Sequence, residues 1–220
     1  MTTQNLKATI RGCCSLLLFS MNTLSVGLAF FLSWIFLHSL PLPLGAWRQR
    51  LPMRIYNGWI QINRWILCHF IGSQLEKTAW PELNPQQWYL LLANHQSWAD
   101  ILIIFISFHK QSSEVKYFIK HSLIWLPVIG LSCKALHYPF IKRYSAKQIR
   151  KNPKRLQENT RSTLKACAAL KKQPATLTIF PEGSRFSLEK QVRLHSPYQK
   201  LLLPKAAGMS LSLNSLSEKL

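Results

Sequence analysis

Apolar and polar residues are distributed very unevenly along this chain. Between Arg11 and Arg48 there is no Lys, Arg, Asp or Glu, and residues 15–40 read SLLLFSMNTLSVGLAFFLSWIFLHSL. As a helix that run would extend about 39 Å at ~1.5 Å per residue. It exceeds the ~30 Å hydrocarbon core of a bilayer and can span it with some tilt. Trp34 and Trp47 suit the bilayer interface, and Pro41 and Pro43 predict where the helix ends. A cleaved signal peptide would have an apolar region of only about 7–15 residues followed by a small-residue cleavage site. This run is longer and LPLPLGAWRQR offers no such site, so the expectation is an uncleaved anchor.

The pattern then changes. Residues 55–71, IYNGWIQINRWILCHFI, are apolar but interrupted by Asn57, Gln61, Asn63 and Arg64. They fit a helix lying in the membrane interface or an ordinary amphipathic core helix. Residues 73–87, with Pro81, Pro85, Glu76, Lys77 and Glu82, read as a connector. Beyond it, WYLLLA at 88–93 predicts a buried strand, 99–108 a helix and 115–119 a second strand. Residues 121–132, with Pro127 and Gly130, predict a short helix and a turn, and 136–141 a third strand. Residues 145–172 predict helix broken near Pro153, and ATLTIF at 175–180 a further strand. Strands alternating with helical segments predict an α/β domain, a mixed sheet flanked by helices and preceded by a transmembrane helix. The expected organisation is a membrane anchor over 1–47, an interfacial helix and connector over 48–87, and the α/β domain over 88–220.

Charge sharpens the picture. The 220 residues hold 28 Lys plus Arg against 8 Asp plus Glu, a formal net charge of +20. Such an excess calls for an anionic partner: nucleic acid, an anionic membrane surface, or phosphorylated or CoA-like substrates. The long apolar run and the lack of a recognisable nucleic-acid motif favour the membrane over nucleic acid. Eleven of the cations fall between Lys142 and Lys172, where Glu158 is the one acid. That stretch suits anionic headgroups, the phosphates of CoA or an acidic carrier protein. Arg48, Arg50, Arg54 and Arg64 follow the apolar run, which by the positive-inside rule places the α/β domain in the cytoplasm. The five cysteines show neither a CxxC pair nor zinc spacing and read as unpaired thiols. No Rossmann fingerprint, Walker A loop or GxSxG elbow occurs, and a single aspartate leaves little for a carboxylate metal site.

That aspartate is Asp100, and His95 lies five positions before it. On one continuous helix five residues rotate by about 140°, which would separate the two side chains. They can meet if His95 sits in the turn after a strand and Asp100 in the helix that follows. A histidine oriented by a carboxylate is a general base; the alternative is a structural histidine, with Asp100 paired to a lysine. A second cluster, Phe180-Pro181-Glu182-Gly183-Ser184-Arg185, follows the strand 175–180. Arg185 can hold a phosphate by paired hydrogen bonds, or the cluster is a turn with a local ion pair. A third, Phe140-Ile141-Lys142-Arg143, sets cations after a strand, to bind phosphate or to face solvent. Sites in α/β sheets collect at the carboxyl ends of strands, where these clusters fall.

Taken together and in this order, the clusters resemble the PlsC-type glycerolipid acyltransferase family. Asn94-His95-Gln96-Ser97-Trp98-Ala99-Asp100 is similar to its NHxxxxD block, Phe140-Ile141-Lys142-Arg143 to its phosphate-binding block, and Glu182-Gly183-Ser184-Arg185 to its EG(T/S)R block. Leu203-Pro204-Lys205-Ala206-Ala207-Gly208 is similar to the fourth, proline-containing block. The likeness covers roughly residues 50–213 and is greatest to the bacterial inner-membrane, YihG-type branch. It implies acyl transfer from acyl-CoA or acyl-carrier protein to the 2-hydroxyl of 1-acylglycerol 3-phosphate, without a further cofactor or metal. It implies His95 as base, Asp100 orienting it, Arg143 and Arg185 on the acceptor phosphate, and Glu182 on the glycerol, with Gly183 and Ser184 completing the substrate-binding turn. Members of that branch continue well past the fourth block, whereas this chain ends at Leu220, so a shortened domain is expected. Acyl transfer to another lysophospholipid, or a truncated, inactive cationic membrane-binding protein, are the competing expectations.

Overall fold

A computed structural model describes residues 3–39, 45–72 and 81–220. The chain divides into two compact units, one of Met1–Pro81 with Ile124–His137, the other of Glu82–Leu123 with Tyr138–Leu220. The segment 124–137, inside the stretch read from sequence as α/β domain, thus groups with the N-terminal helices.

The first unit is helical. Helix α1 runs over Thr3–Ser39, and Asn5–Leu37 within it is long and apolar enough to cross a membrane. It begins twelve residues before the predicted start, because the polar turns around Lys7 and Arg11 continue it. The prolines expected to end it, Pro41 and Pro43, lie outside the described residues. Helix α2 runs over Gly45–Trp65 with Pro52 inside, and passes into a π-helical turn at Ile66–Phe70. Polar side chains face inward here: Asn22 donates to the Asn63 side chain at 2.9 Å and to the Trp59 carbonyl at 3.2 Å, and the Trp59 indole donates to Thr23. Leu16, Leu17, Met21, Leu24, Leu28 and Phe31 face outward. Phe30, Leu37 and Ile60 are buried as well, so the unit is apolar outside as much as within, unlike a water-soluble helix pair, and interhelical amide bonds of this kind join helices where water is excluded. The unit is completed by helix α4, Pro127–Ala135, packed on α1. At their crossing, any side chain on Gly27 would overlap Val128, so this glycine permits the close approach.

The second unit is an α/β domain built on parallel strands. Strand β1 (Tyr89–Leu92) leads to helix α3 (Ala99–Phe108), then β2 (Glu114–Tyr117) and β3 (Ile119–Lys120). After the excursion through the first unit come β4 (Phe140–Ile141), α5 (Ala146–Lys151), α6 (Lys154–Leu170) and β5 (Ala175–Ile179). The short helices α7 (Leu188–Arg193) and α8 (Ala206–Leu216) close the chain. The main sheet has the order β1-β5-β2, with β5 parallel to both neighbours; β3 and β4 form a separate parallel pair. Four of the five residues of β5 are buried, as expected of a central parallel strand covered on both faces. On one face Ala175 and Leu177 pack with Cys167, Leu170 and Leu216 from α6 and α8. On the other, the Thr176 hydroxyl bonds with Ser112 and Ser113, which satisfies polar groups that burial would otherwise penalise. Because β1 and β5 are parallel neighbours in register from Tyr89↔Thr176 to Leu92↔Ile179, their C-terminal ends lie side by side. The loops that follow them emerge at one edge.

Candidate active site

The first loop begins where the Ala93 amide donates to the Ile179 carbonyl, the last rung between β1 and β5. Two residues on, His95 turns its ring toward the start of α3. Its Nδ1 lies 2.9 Å from Oδ2 of Asp100, which occupies the first turn of that helix. The same oxygen accepts the amides of Gln96 at 2.6 Å and Ser97 at 2.9 Å. The carboxylate therefore organises the whole loop and not only the imidazole. Burial pushes the Asp100 carboxyl up, but the hydrogen bonds from Ser97, His95 and Gln96 outweigh it and hold it below the ordinary carboxylate range. An ionised carboxylate at Nδ1 selects the tautomer with a proton there, which leaves Nε2 as acceptor.

The imidazole is 13% exposed and stacks on Phe180 with ring centroids 4.1 Å apart. Phe180 stacks in turn on Tyr117, which meets Phe105 edge-on. Burial drives the Tyr117 phenol far above its usual range, and the charge on Asp100 adds to the shift.

The second loop follows β5. A turn closes from the Gly183 amide to the Phe180 carbonyl, with Gly183 at φ +68°, a conformation that glycine adopts freely. Glu182 is only 4% exposed. Its Oε1 accepts the His95 amide at 3.0 Å, and its Oε2 accepts the Leu202 amide at 2.9 Å. The His95 carbonyl accepts the Phe186 amide at 2.7 Å. The histidine is thus held at three points: the ring by Asp100, the amide by Glu182 and the carbonyl by Phe186. Three segments distant in sequence meet at one carboxylate, that of Glu182.

Cations flank this turn. Arg143, just after β4, reaches the Gly183 carbonyl at 3.4 Å. A Cβ on Gly183 would lie 2.9 Å from Arg143 Nη2 and 3.3 Å from the Lys205 side chain, so both cations crowd the glycine. Arg185 takes a different position, its guanidinium 4.8 Å from the ring centre of Trp98 in the His95 loop. Ser184 is half-buried in the turn between them.

A base poised on a carboxylate beside exposed cations suits proton abstraction from a hydroxyl on a phosphorylated molecule. A family model for acyltransferases matches residues 75–206, more than half of the chain. The chain belongs to the acyltransferase family. No curated protein and no solved structure matches it.

The acyltransferase match contains the clusters at 94–100, 140–143 and 182–185, and ends inside the one at 203–208. Its general chemistry is accordingly acyl transfer in lipid biosynthesis, of the O-acyltransferase type. The geometry adds residues to which the sequence assigned no part. Lys205 stands with Arg143 at Gly183, and its amide donates to the Pro181 carbonyl at 2.8 Å. Its position in the fourth block was the available signal. Phe180 and Trp98, which back the histidine and the arginine, stand inside the blocks without a charge to draw notice. Conversely, Lys142 turns to Glu158 at 2.9 Å, and Tyr144 donates to the same carboxylate. That pair joins β4 to α6, raises the Lys142 ammonium and lowers the Glu158 carboxyl. Among the described residues no group of three His, Cys, Asp or Glu side chains could hold a metal ion.

Proposed function

We propose that this acyltransferase moves a fatty acyl group from an acyl-CoA or acyl-carrier-protein thioester to the 2-hydroxyl of 1-acylglycerol 3-phosphate. The observation that carries the reading is the 2.9 Å pairing of His95 Nδ1 with an ionised Asp100, which leaves Nε2 free to take a proton. In this scheme Nε2 removes the acceptor's hydroxyl proton as the oxygen bonds to the thioester carbonyl carbon. The tetrahedral intermediate then collapses, the C–S bond breaks, and the imidazolium returns the proton to the departing thiolate. Asp100 stabilises the imidazolium between the two transfers. No acyl-enzyme forms.

Arg143, Lys205 and Arg185 supply cationic groups for the acceptor phosphate, the arginines by paired hydrogen bonds. Gly183 and Ser184 form the turn on which those cations converge. For Glu182 the geometry favours a change from the role implied by the resemblance. Both of its oxygens already accept main-chain amides, so its part is to hold the His95 loop rather than the glycerol. The outward apolar surface of α1 and the cationic flank beyond it support an anchor in the bacterial inner membrane, with the catalytic unit on the cytoplasmic side and an anionic phospholipid surface as its partner. The likeness of the FPEGSR and PKAAG segments to the YihG-type branch belongs to the same reading.

Membranes carrying the protein should convert labelled lysophosphatidate to phosphatidate. His95→Ala at equal protein level should abolish the conversion. Full activity in that variant sinks the mechanism; salt-sensitive liposome binding by a wild-type chain without turnover on any lysophospholipid sinks the enzyme.

A further inference from the structure

Helix α7, directly after the Glu182 turn, carries LEKQVR and exposes its largest apolar side chains. Leu188 is 70% exposed and Val192 is 72% exposed. Four residues apart on a helix, they stand on one face as a ridge. The helix is tied to the site by contacts within the same unit. Ser187 caps the helix by accepting the Lys190 amide, and the Lys190 ammonium donates to the Arg185 carbonyl at 2.7 Å. Arg185 lies over Trp98, itself 69% exposed, and Gln191 donates to the Tyr198 carbonyl at 2.6 Å. Exposed leucine and valine side by side on this helix, in the same unit as an exposed tryptophan at Arg185, mark a contact surface.

Charge identifies what the surface meets. From Arg185 to Lys205 there are five Lys or Arg, at 185, 190, 193, 200 and 205, and one acid, Glu189. Apolar side chains with tryptophan at one edge and lysine or arginine around them form the signature of a segment lying in the headgroup region of an anionic bilayer. A free nucleotide would meet the cations but would not need the apolar ridge.

We propose that α7 and its flanking turns are the lipid-contact surface of the catalytic unit. Leu188 and Val192 enter the interfacial layer, the exposed Arg193 and Lys200 meet anionic headgroups, and the His95 loop is thereby set at the bilayer surface where a lysolipid presents its hydroxyl. The inference rests on the acyl-transfer reading for its purpose, but not for its test.

The full-length chain is reconstituted in vesicles of phosphatidylglycerol and phosphatidylcholine, with Cys13, Cys14, Cys68 and Cys133 replaced by serine. An environment-sensitive fluorophore is placed at Val192→Cys, or at Gln86→Cys, exposed in the turn before β1 at the sheet edge opposite the site. The probe at 192 should shift to the blue and be quenched at least twofold by lipids carrying a nitroxide near the headgroup, while the probe at 86 should not respond. An unquenched probe at 192, or equal quenching at both positions, overturns the proposal. In parallel, Leu188→Gln with Val192→Gln should lower turnover of a long-chain, bilayer-embedded acceptor about tenfold or more and leave a short-chain, water-dispersed acceptor unchanged. Equal loss on both acceptors overturns it. If the wild type turns over neither acceptor, the acyl-transfer reading fails while the quenching still decides the surface.

Discussion

Asp100 binds His95 through the same carboxylate oxygen that accepts the amides of Gln96 and Ser97. One atom therefore sets both the shape of the loop and the tautomer of the base. Asp100→Asn presents either an amide N–H₂ against two main-chain N–H groups or a neutral oxygen that no longer stabilises imidazolium. Turnover is expected to fall roughly 10²–10⁴-fold, with the acceptor's KM changed far less, because the loss is felt when the imidazolium forms. Steady-state kinetics of the variant in native membranes checks this; unchanged kcat refutes it.

The same carboxylate makes stability depend on pH. Its folded pKa lies below the unfolded value of about 3.9. Its stabilisation is therefore complete above about pH 5 and is lost as pH falls through the folded value. The melting temperature of the wild type should exceed that of Asp100→Asn above about pH 5, and the gap should close as pH falls below about pH 4. A gap that persists undiminished at about pH 2 contradicts the assignment.

Glu182 offers a contrast between holding and binding. Removing it leaves the amides of His95 and Leu202 buried without an acceptor, at a cost of about 2–5 kcal/mol for two charge-assisted bonds. Glu182→Gln keeps one acceptor oxygen and should lose about half as much. Both variants should lower kcat more than they raise the acceptor's KM, because they displace the base. A pure rise in KM would return Glu182 to the acceptor site.

At Gly183, φ is +68° and a Cβ would press on Arg143 and Lys205. Gly183→Ala should destabilise the protein by about 1–2 kcal/mol through the left-handed backbone. It should also raise the KM of a phosphorylated acceptor as the two cations give way. Thermal melting and acceptor titration measure the two effects separately; a variant with wild-type values in both would show that the turn relaxes without consequence.

Much of this architecture was legible because it is local. Helix α3 falls on residues 99–108 as read from its apolar run, and the break at Pro153 separates α5 from α6. Where long-range packing decides, the sequence is silent. The expected strand over 136–141 shrinks to Phe140–Ile141, because α4 runs through Ala135 and His137 takes φ +55°. The single expected strand over 115–119 is divided between β2 and β3, which join different sheets. Helix α8, AAGMSLSLNSL, mixes strong helix formers with Gly, Ser and Asn, and is fixed by burial of Ser212 and Leu216 against α6. At the site, the five-residue spacing of His95 and Asp100 pointed to their meeting. The bond from His95 to Glu182 spans 87 positions and exists only because β1 and β5 are parallel neighbours, which nothing in either motif reveals.

The three-point grip on His95 also bears on how such an enzyme can be rebuilt. Its main chain is stitched on both sides to the loop after β5, through Glu182 and through Phe186. Transplanting the histidine loop from a relative while keeping the host's own β5 loop would break both stitches at once. A working chimaera must carry the two loops, and the Leu202 strap that shares Glu182, as a single cassette.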